Sequence, residues 1–99
     1  MTSTAQILLI LTYTVGEEDR ETFERLAGAH AAAADTYPGC LRFDLGHDVL
    51  HPDRYQIVEQ WQNVAALQAH GDSEAFHRLM AALKQFTTIR VHRDQYEIA

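Results

Sequence analysis

Cysteine is almost absent: Cys40 is the only one in 99 residues. That excludes an internal disulfide and a Cys-x-x-Cys motif, and it suits a reducing, cytoplasmic home. Long apolar runs are missing too. None approaches the roughly 20 residues that span a bilayer, so no membrane segment is expected. The opening residues, Met1 to Gln6, lack the basic region of a signal peptide. Positive charge is scarce, with 8 Lys and Arg against 14 Asp and Glu, a net charge of −6, and no basic cluster. Nucleic acid and anionic membrane surfaces are therefore not expected as partners. No Gly-rich phosphate loop, Gly-x-Ser-x-Gly elbow or dinucleotide fingerprint occurs.

What is present is strong periodicity, in a length that suits one domain over 1–99 with one core. Gln6 to Val15 is almost continuously apolar, as in a central strand covered on both faces. Gly16 breaks it, and four acidic residues among the next five favour a helix start. Phe23, Leu26, Ala27, His30, Ala33, Ala34 and Tyr37 then recur at helical spacing until Pro38-Gly39. A second strand alternates Leu41, Phe43, Leu45 and His47 against Arg42 and Asp44. The turn-rich link from Asp48 to Arg54 predicts a hairpin into a third strand, Tyr55 to Trp61.

After Trp61 the period changes. Asn63 is suited to cap a short helix carrying Val64, Leu67 and His70, with Gly71 as its stop. Asp72 or Ser73 opens another, striped by Phe76, Leu79, Met80 and Leu83. Thr87 to Ile98 is rich in β-formers and makes the last strand. The order is that of an α+β, ferredoxin-like βαββαβ fold, a four-stranded antiparallel sheet with helices on one face. Leu8 and Ile10 project away from Ile7, Leu9 and Leu11, so the second sheet face is left uncovered. A homodimer pairing sheet to sheet is expected to bury it, and the pocket is taken to depend on the barrel so closed.

Six histidines invite a metal reading, but their spacing does not support one. His47 and His51 flank turn residues, and His70 and His77 fall on different predicted helices. His30 lies in the middle of its helix's apolar stripe. It reads first as a neutral core histidine, and second as a pocket base. His70 reads the same way, whereas His77 and His92 are expected to be solvated. Trp61 reads first as core packing and second as the wall of a pocket for a flat aromatic. Glu59 shares its strand face and needs a partner, for which an arginine of another strand or subunit is the expectation. Cys40 lacks an activating pair and reads as packing.

Pro38-Gly39-Cys40, Tyr55 with Glu59-Gln60-Trp61, Ala66-Leu67-x-Ala69-His70 and Ser73-x-x-Phe76 together resemble the antibiotic biosynthesis monooxygenase family over nearly the whole chain. The resemblance implies a dimeric α/β barrel. It also implies oxygenation of electron-rich aromatics by molecular oxygen without metal, flavin or haem, so no cofactor is expected. On that reading His70, His30 and Trp61 are the catalytic candidates. Tyr13, Phe43, Leu67, Phe76 and Met80 are the residues expected to hold a small aromatic substrate.

The family's polyketide-tailoring branch has an asparagine where Ile57 stands and a tyrosine where Leu67 stands, so that branch's polar site is not expected here. Glu59-Gln60-Trp61 and Leu67-x-Ala69-His70 look closer to the quinol monooxygenases. The haem-degrading relatives use an asparagine and an axial histidine at places occupied by Leu9 and Met80, so haem degradation is not expected. The expected function is a cofactor-independent monooxygenase for a small quinol or polycyclic phenol. An isomerase or other proton-transfer enzyme on a small carbonyl metabolite, and a barrel that only binds a hydrophobic ligand, remain the alternatives.

Overall fold

The computed structural model describes residues 5–98. Met1 to Thr4, which include most of the segment read above for a signal peptide, lie outside the described residues, as does Ala99. The elements are β1 (Gln6–Val15), α1 (Arg20–Ala32), β2 (Cys40–His47), β3 (Arg54–Trp61), α2 (Val64–Gly71), α3 (Glu74–Leu83) and β4 (Ile89–Ile98). The sheet order is β2-β3-β1-β4, and each neighbouring pair is antiparallel. This is the α+β, ferredoxin-like βαββαβ arrangement, with α2 and α3 together in place of the second helix.

The alternation in β1 sorts its side chains cleanly. Ile7, Leu9, Tyr13 and Val15 are buried beneath the helices, while Leu8 and Ile10 on the other face are only half-buried. Tyr55, Ile57, Glu59 and Trp61 all point to the helix side of β3 and are buried. Phe23 of α1 fills the centre, its ring 5.2 Å from Tyr13 and 4.9 Å from Tyr55. Tyr55 then donates its hydroxyl to Glu24 at 2.6 Å, which satisfies the one polar atom that this ring brings into the core. Burial, aided by that carboxylate, raises the Tyr55 hydroxyl to about 12.

Three boundaries differ from the sequence expectation, each for a local reason. The stripe ending at Tyr37 belongs to a helix that stops at Ala32, followed by a 3-10 turn over Ala34–Thr36. The Thr36 hydroxyl takes the Ala33 carbonyl at 2.6 Å, and Pro38 holds Tyr37 extended. In β2, Cys40 rather than Leu41 lies opposite Trp61, because a bulge falls between Cys40 and Arg42. Leu41 is therefore 52% exposed instead of sharing the Phe43 face. Thr87 and Thr88 stay outside β4, since they tie the β1–α1 corner: Thr87 N donates to Asp19 and Gly16 N donates to the Thr88 carbonyl.

The two helix starts behave as expected. The Asn63 side chain accepts from Ala66 N at 2.9 Å, and Ser73, not Asp72, accepts from Phe76 N at 3.2 Å. At the β2 entry, Gly39 adopts a φ of 77°, open to glycine at little strain. A Cβ there would stand 2.5 Å from that of Ala66, so Gly39 also lets α2 lie close to the strand.

Candidate functional site

Glu59 and Trp61 sit two residues apart on β3, so the strand's pleat puts them side by side on the helix-facing surface. The Trp61 indole Nε1 donates to Glu59 Oε1 at 2.9 Å. Both are buried, Trp61 at 0% and Glu59 at 4% exposure. The hydrogen-bond partner of Glu59 is thus its strand neighbour, while an arginine of another strand, Arg93 of β4, acts on it through its charge without an ion-pair contact. Burial raises the Glu59 carboxyl, against the Trp61 hydrogen bond and the charge of Arg93, which both pull it down.

His30 near the end of α1 and His70 near the end of α2 meet with their Nε2 atoms 3.1 Å apart. One imidazole must donate and the other accept, so the contact requires a neutral ring on at least one side. Burial lowers His30. Burial and then the neighbouring His30 push His70 down to about 4. Aromatic rings surround His70, with Tyr37 at 4.7 Å, Trp61 at 4.8 Å and Phe76 at 5.5 Å between ring centroids. Tyr37 donates its hydroxyl to the His30 carbonyl at 2.8 Å, which fixes that wall to α1. Among the described residues, His70 Nδ1 is the one buried side-chain nitrogen or oxygen with no hydrogen-bond partner.

His70 lines a cavity of about 690 Å³ between the sheet and the helices α2 and α3. That volume lies within the roughly 300–1,000 Å³ of small-molecule sites. Leu9, Leu11 and Tyr13 of β1 form its floor, Leu67, Phe76 and Met80 its helical side, and Glu59, Arg93 and Gln95 bring polar groups to it. The cavity lies within one chain, on the helix side of the sheet. It does not need the closed barrel on which the sequence expectation made it depend. Burial, and then the nearby Glu59, raise the Tyr13 hydroxyl, so it stays a neutral donor.

The sequence-derived residues distribute as follows. Tyr13, Leu67, Phe76, Met80 and His70 line the cavity. His30 stands behind His70, and Trp61 lies beneath it, hydrogen-bonded to the cavity's carboxyl group. Phe43 does not reach the cavity; it packs edge-on against His30 at 5.5 Å and His70 at 6.0 Å. His77 and His92 are exposed. Among the described residues, no group of three or more His, Cys, Asp or Glu side chains converges as metal ligands.

Sequence reasoning missed Leu9, Leu11, Glu59 and Arg93 as cavity residues. The same-face spacing of Glu59 and Trp61 could have paired them. Arg93 had no such signal, because β4 is polar on both faces and only its pairing with Leu11 places Arg93 over the floor.

The comparisons with known proteins agree with this architecture. A Bacteroides thetaiotaomicron protein of unknown function, described as a possible oxidoreductase, superposes with a TM-score of 0.89 at 23% identity, covering 97% of this chain and all of its own. A Deinococcus radiodurans protein provisionally described as an antibiotic biosynthesis monooxygenase gives 0.88 at 22% identity, over 94% and 92% of the two chains. PA3566 of Pseudomonas aeruginosa is 28% identical, with a TM-score of 0.82 over 100% and 98%. No curated protein matches the chain significantly. None of the described helices is long and apolar enough to cross a membrane. The model of the antibiotic biosynthesis monooxygenase family matches residues 6–82, and the chain belongs to that family.

Proposed function

We propose that this protein is a monooxygenase that oxidises a small quinol or polycyclic phenol with molecular oxygen, His70 receiving the substrate proton. The observation that carries this reading is the buried, unpartnered Nδ1 of His70, a residue that lines a largely apolar cavity. An orphaned buried nitrogen is unfavourable by about 1–3 kcal/mol, and a substrate hydroxyl would satisfy it. The weak basicity of His70 leaves it neutral and able to accept at ordinary pH.

The chemistry needs an electron-rich substrate because triplet oxygen reacts slowly with closed-shell molecules. A proton taken at His70 Nδ1 can be matched by one passed from His70 Nε2 to His30, which carries the charge away from the cavity. As the proton leaves, the substrate gives one electron to oxygen. The radical pair joins to form a carbon–oxygen bond, and the histidines return the proton to the resulting peroxide. Loss of the ring C–H proton then breaks the O–O bond and expels hydroxide, which leaves as water. For a quinol the products are a hydroxyquinone and one water, and the substrate supplies all four electrons. In this reading the substrate anion does the work of a cofactor. A substrate seated against Leu9, Leu11, Leu67, Phe76 and Met80 displaces water from that apolar surface, water that would otherwise intercept the radical pair.

A second copy of the chain completes the proposal as a homodimer. Leu8 and Ile10 of β1, Val58 of β3 and Tyr96 of β4 lie together on the sheet face away from the helices, and Tyr96 is 50% exposed. Pairing that face with its copy removes apolar area from water at about 25 cal/mol per Å².

A proton-transfer reaction without oxygen is the second reading, favoured by the neutral imidazole and the buried carboxyl facing one cavity. Oxygen uptake with a panel of hydroquinones and anthrones separates the two. The monooxygenase consumes oxygen above the uncatalysed rate, and His70→Asn lowers that rate about 100-fold or more. Turnover of a carbonyl substrate under strict anaerobiosis, with no uptake from the panel, would reverse the order.

A further inference from the structure

Glu59 and Arg93 reach the cavity from strands on opposite sides of β1. Glu59 is paired in register with Leu9 and Arg93 with Leu11, so the two leucines form the floor between them. Two inter-strand spacings and one two-residue step put their Cα atoms on the order of 12 Å apart. The side chains close part of that span, and the cavity of about 690 Å³ has the volume for a fused-ring ligand. No salt bridge joins them.

Each end keeps unused hydrogen-bonding capacity. The Trp61 indole occupies Glu59 Oε1, and no described side chain donates to Oε2. Arg93 gives Nη2 to Gln95 Oε1 at 2.7 Å and has no carboxylate partner among the described residues. It is also the only cationic side chain among the cavity's described residues, whose carboxylates are Glu59 and the exposed Asp72. In a chain of net charge −6, an arginine turned to a cavity, acting on Glu59 through its charge but in ion-pair contact with no carboxylate, marks the end that an anion would occupy. The Glu59 end differs. Its Oε2 is left free to accept, so it suits an uncharged hydroxyl, which donates there where an ether cannot.

We propose that Glu59 and Arg93 determine specificity for a planar hydroxyaromatic acid, which lies across Leu9 and Leu11 with its hydroxyl at Glu59 and its carboxylate at Arg93. This deepens the substrate class of the proposed monooxygenase and rests on the cavity being the substrate site. It does not require that oxygen react there.

Calorimetric titration separates the two ends. The probes are a hydroxynaphthoic acid with its groups at opposite ends of the rings, its methyl ester, and its methyl ether. On the wild type, the ester and the ether each bind about tenfold or more weakly than the parent acid. Arg93→Gln, at an exposed position, binds acid and ester alike, while the loss from the ether persists. Glu59→Gln, of nearly equal volume, binds acid and ether alike. If Glu59→Gln does not fold, the ether on the wild type still reads that end. Equal binding of acid and ester to the wild type, no binding by any probe at millimolar concentration, or undiminished discrimination in Arg93→Gln would each overturn the proposal. Oxygen uptake is read separately. Selective acid binding without uptake leaves this specificity standing and removes the monooxygenase. Rapid uptake by uncharged quinols that is insensitive to Arg93→Gln does the reverse.

Discussion

The Nε2 atoms of His30 and His70 lie 3.1 Å apart, joining the ends of α1 and α2 inside an aromatic shell. Two imidazoles at that distance share one proton position, and neither is easily charged. The depressed His70 therefore ties stability to pH. The unfolded residue binds its proton near the ordinary 6.5, and the folded one near about 4. Between those values the unfolded chain holds more protons, so stability is full above 6.5 and falls as the pH drops toward 4. His30, lowered by burial, acts in the same direction. Glu59, raised by burial, acts oppositely, contributing at low pH and losing that contribution as the pH rises above its ordinary value. Urea unfolding at neutral pH and near pH 4.5 should show the wild type losing about 2 kcal/mol more than His70→Gln. Equal losses in both proteins would mean that the pair does not hold its protons as described.

The Trp61–Glu59 hydrogen bond makes a sharper test of the buried carboxyl. Glu59→Ala leaves the indole Nε1 without a partner at a site with no exposure and opens a void, for a combined loss of about 2–4 kcal/mol. Glu59→Gln keeps an acceptor and the volume, and should lose less than about 1 kcal/mol. Denaturant midpoints of the two variants check this, and similar midpoints would show that the hydrogen bond contributes nothing.

Gly39 is predicted to tolerate no side chain. Its φ of 77° and the 2.5 Å approach to Ala66 act together, so Gly39→Ala should destabilise by about 2–3 kcal/mol and push the start of α2 outward. His70, at the far end of that helix, should then lose its contact with His30. Imidazole proton resonances of the variant would report the loss. An unchanged midpoint would mean that α2 shifts freely.

How much of this was legible before the structure depends on the distance over which each feature is encoded. The strands and caps are local. The alternation in Tyr55 to Trp61, and the side chains of Asn63 and Ser73, act within a few residues, and they appear where the pattern puts them. Leu41 was misplaced because a bulge changes the face by one residue without disturbing the composition. The end of α1 was misplaced because the apolar stripe continues through the 3-10 turn to Tyr37. The site is less local. His30 and His70 are 40 residues apart, and only the packing of α1 and α2 on the same face of the sheet brings their side chains together. Arg93 reaches the cavity through the register of β4 on β1, which a strand polar on both faces does not announce.

The uncovered sheet face supplies the next prediction. Ile10→Asp puts a charge at the centre of the proposed interface, in register between Val58 and Asp94. It should turn a dimer into a monomer of 11.2 kDa, with a loss of stability relative to the wild type that is largest at high protein concentration and shrinks on dilution. Sedimentation equilibrium reads both species. A wild type that is already monomeric at micromolar concentration removes the dimer, while the cavity, lying within one chain, is untouched.

Oxygen labelling tests the proposed chemistry most directly. A quinol or anthrone that is turned over under isotopically labelled molecular oxygen, in ordinary water, should yield a product carrying one labelled atom and release one labelled water. One molecule of oxygen should be consumed per substrate, and His70→Asn should slow label incorporation about 100-fold or more. Product whose new oxygen comes from the solvent, or incorporation no faster than in the absence of protein, would contradict the oxygenase chemistry assigned to this cavity.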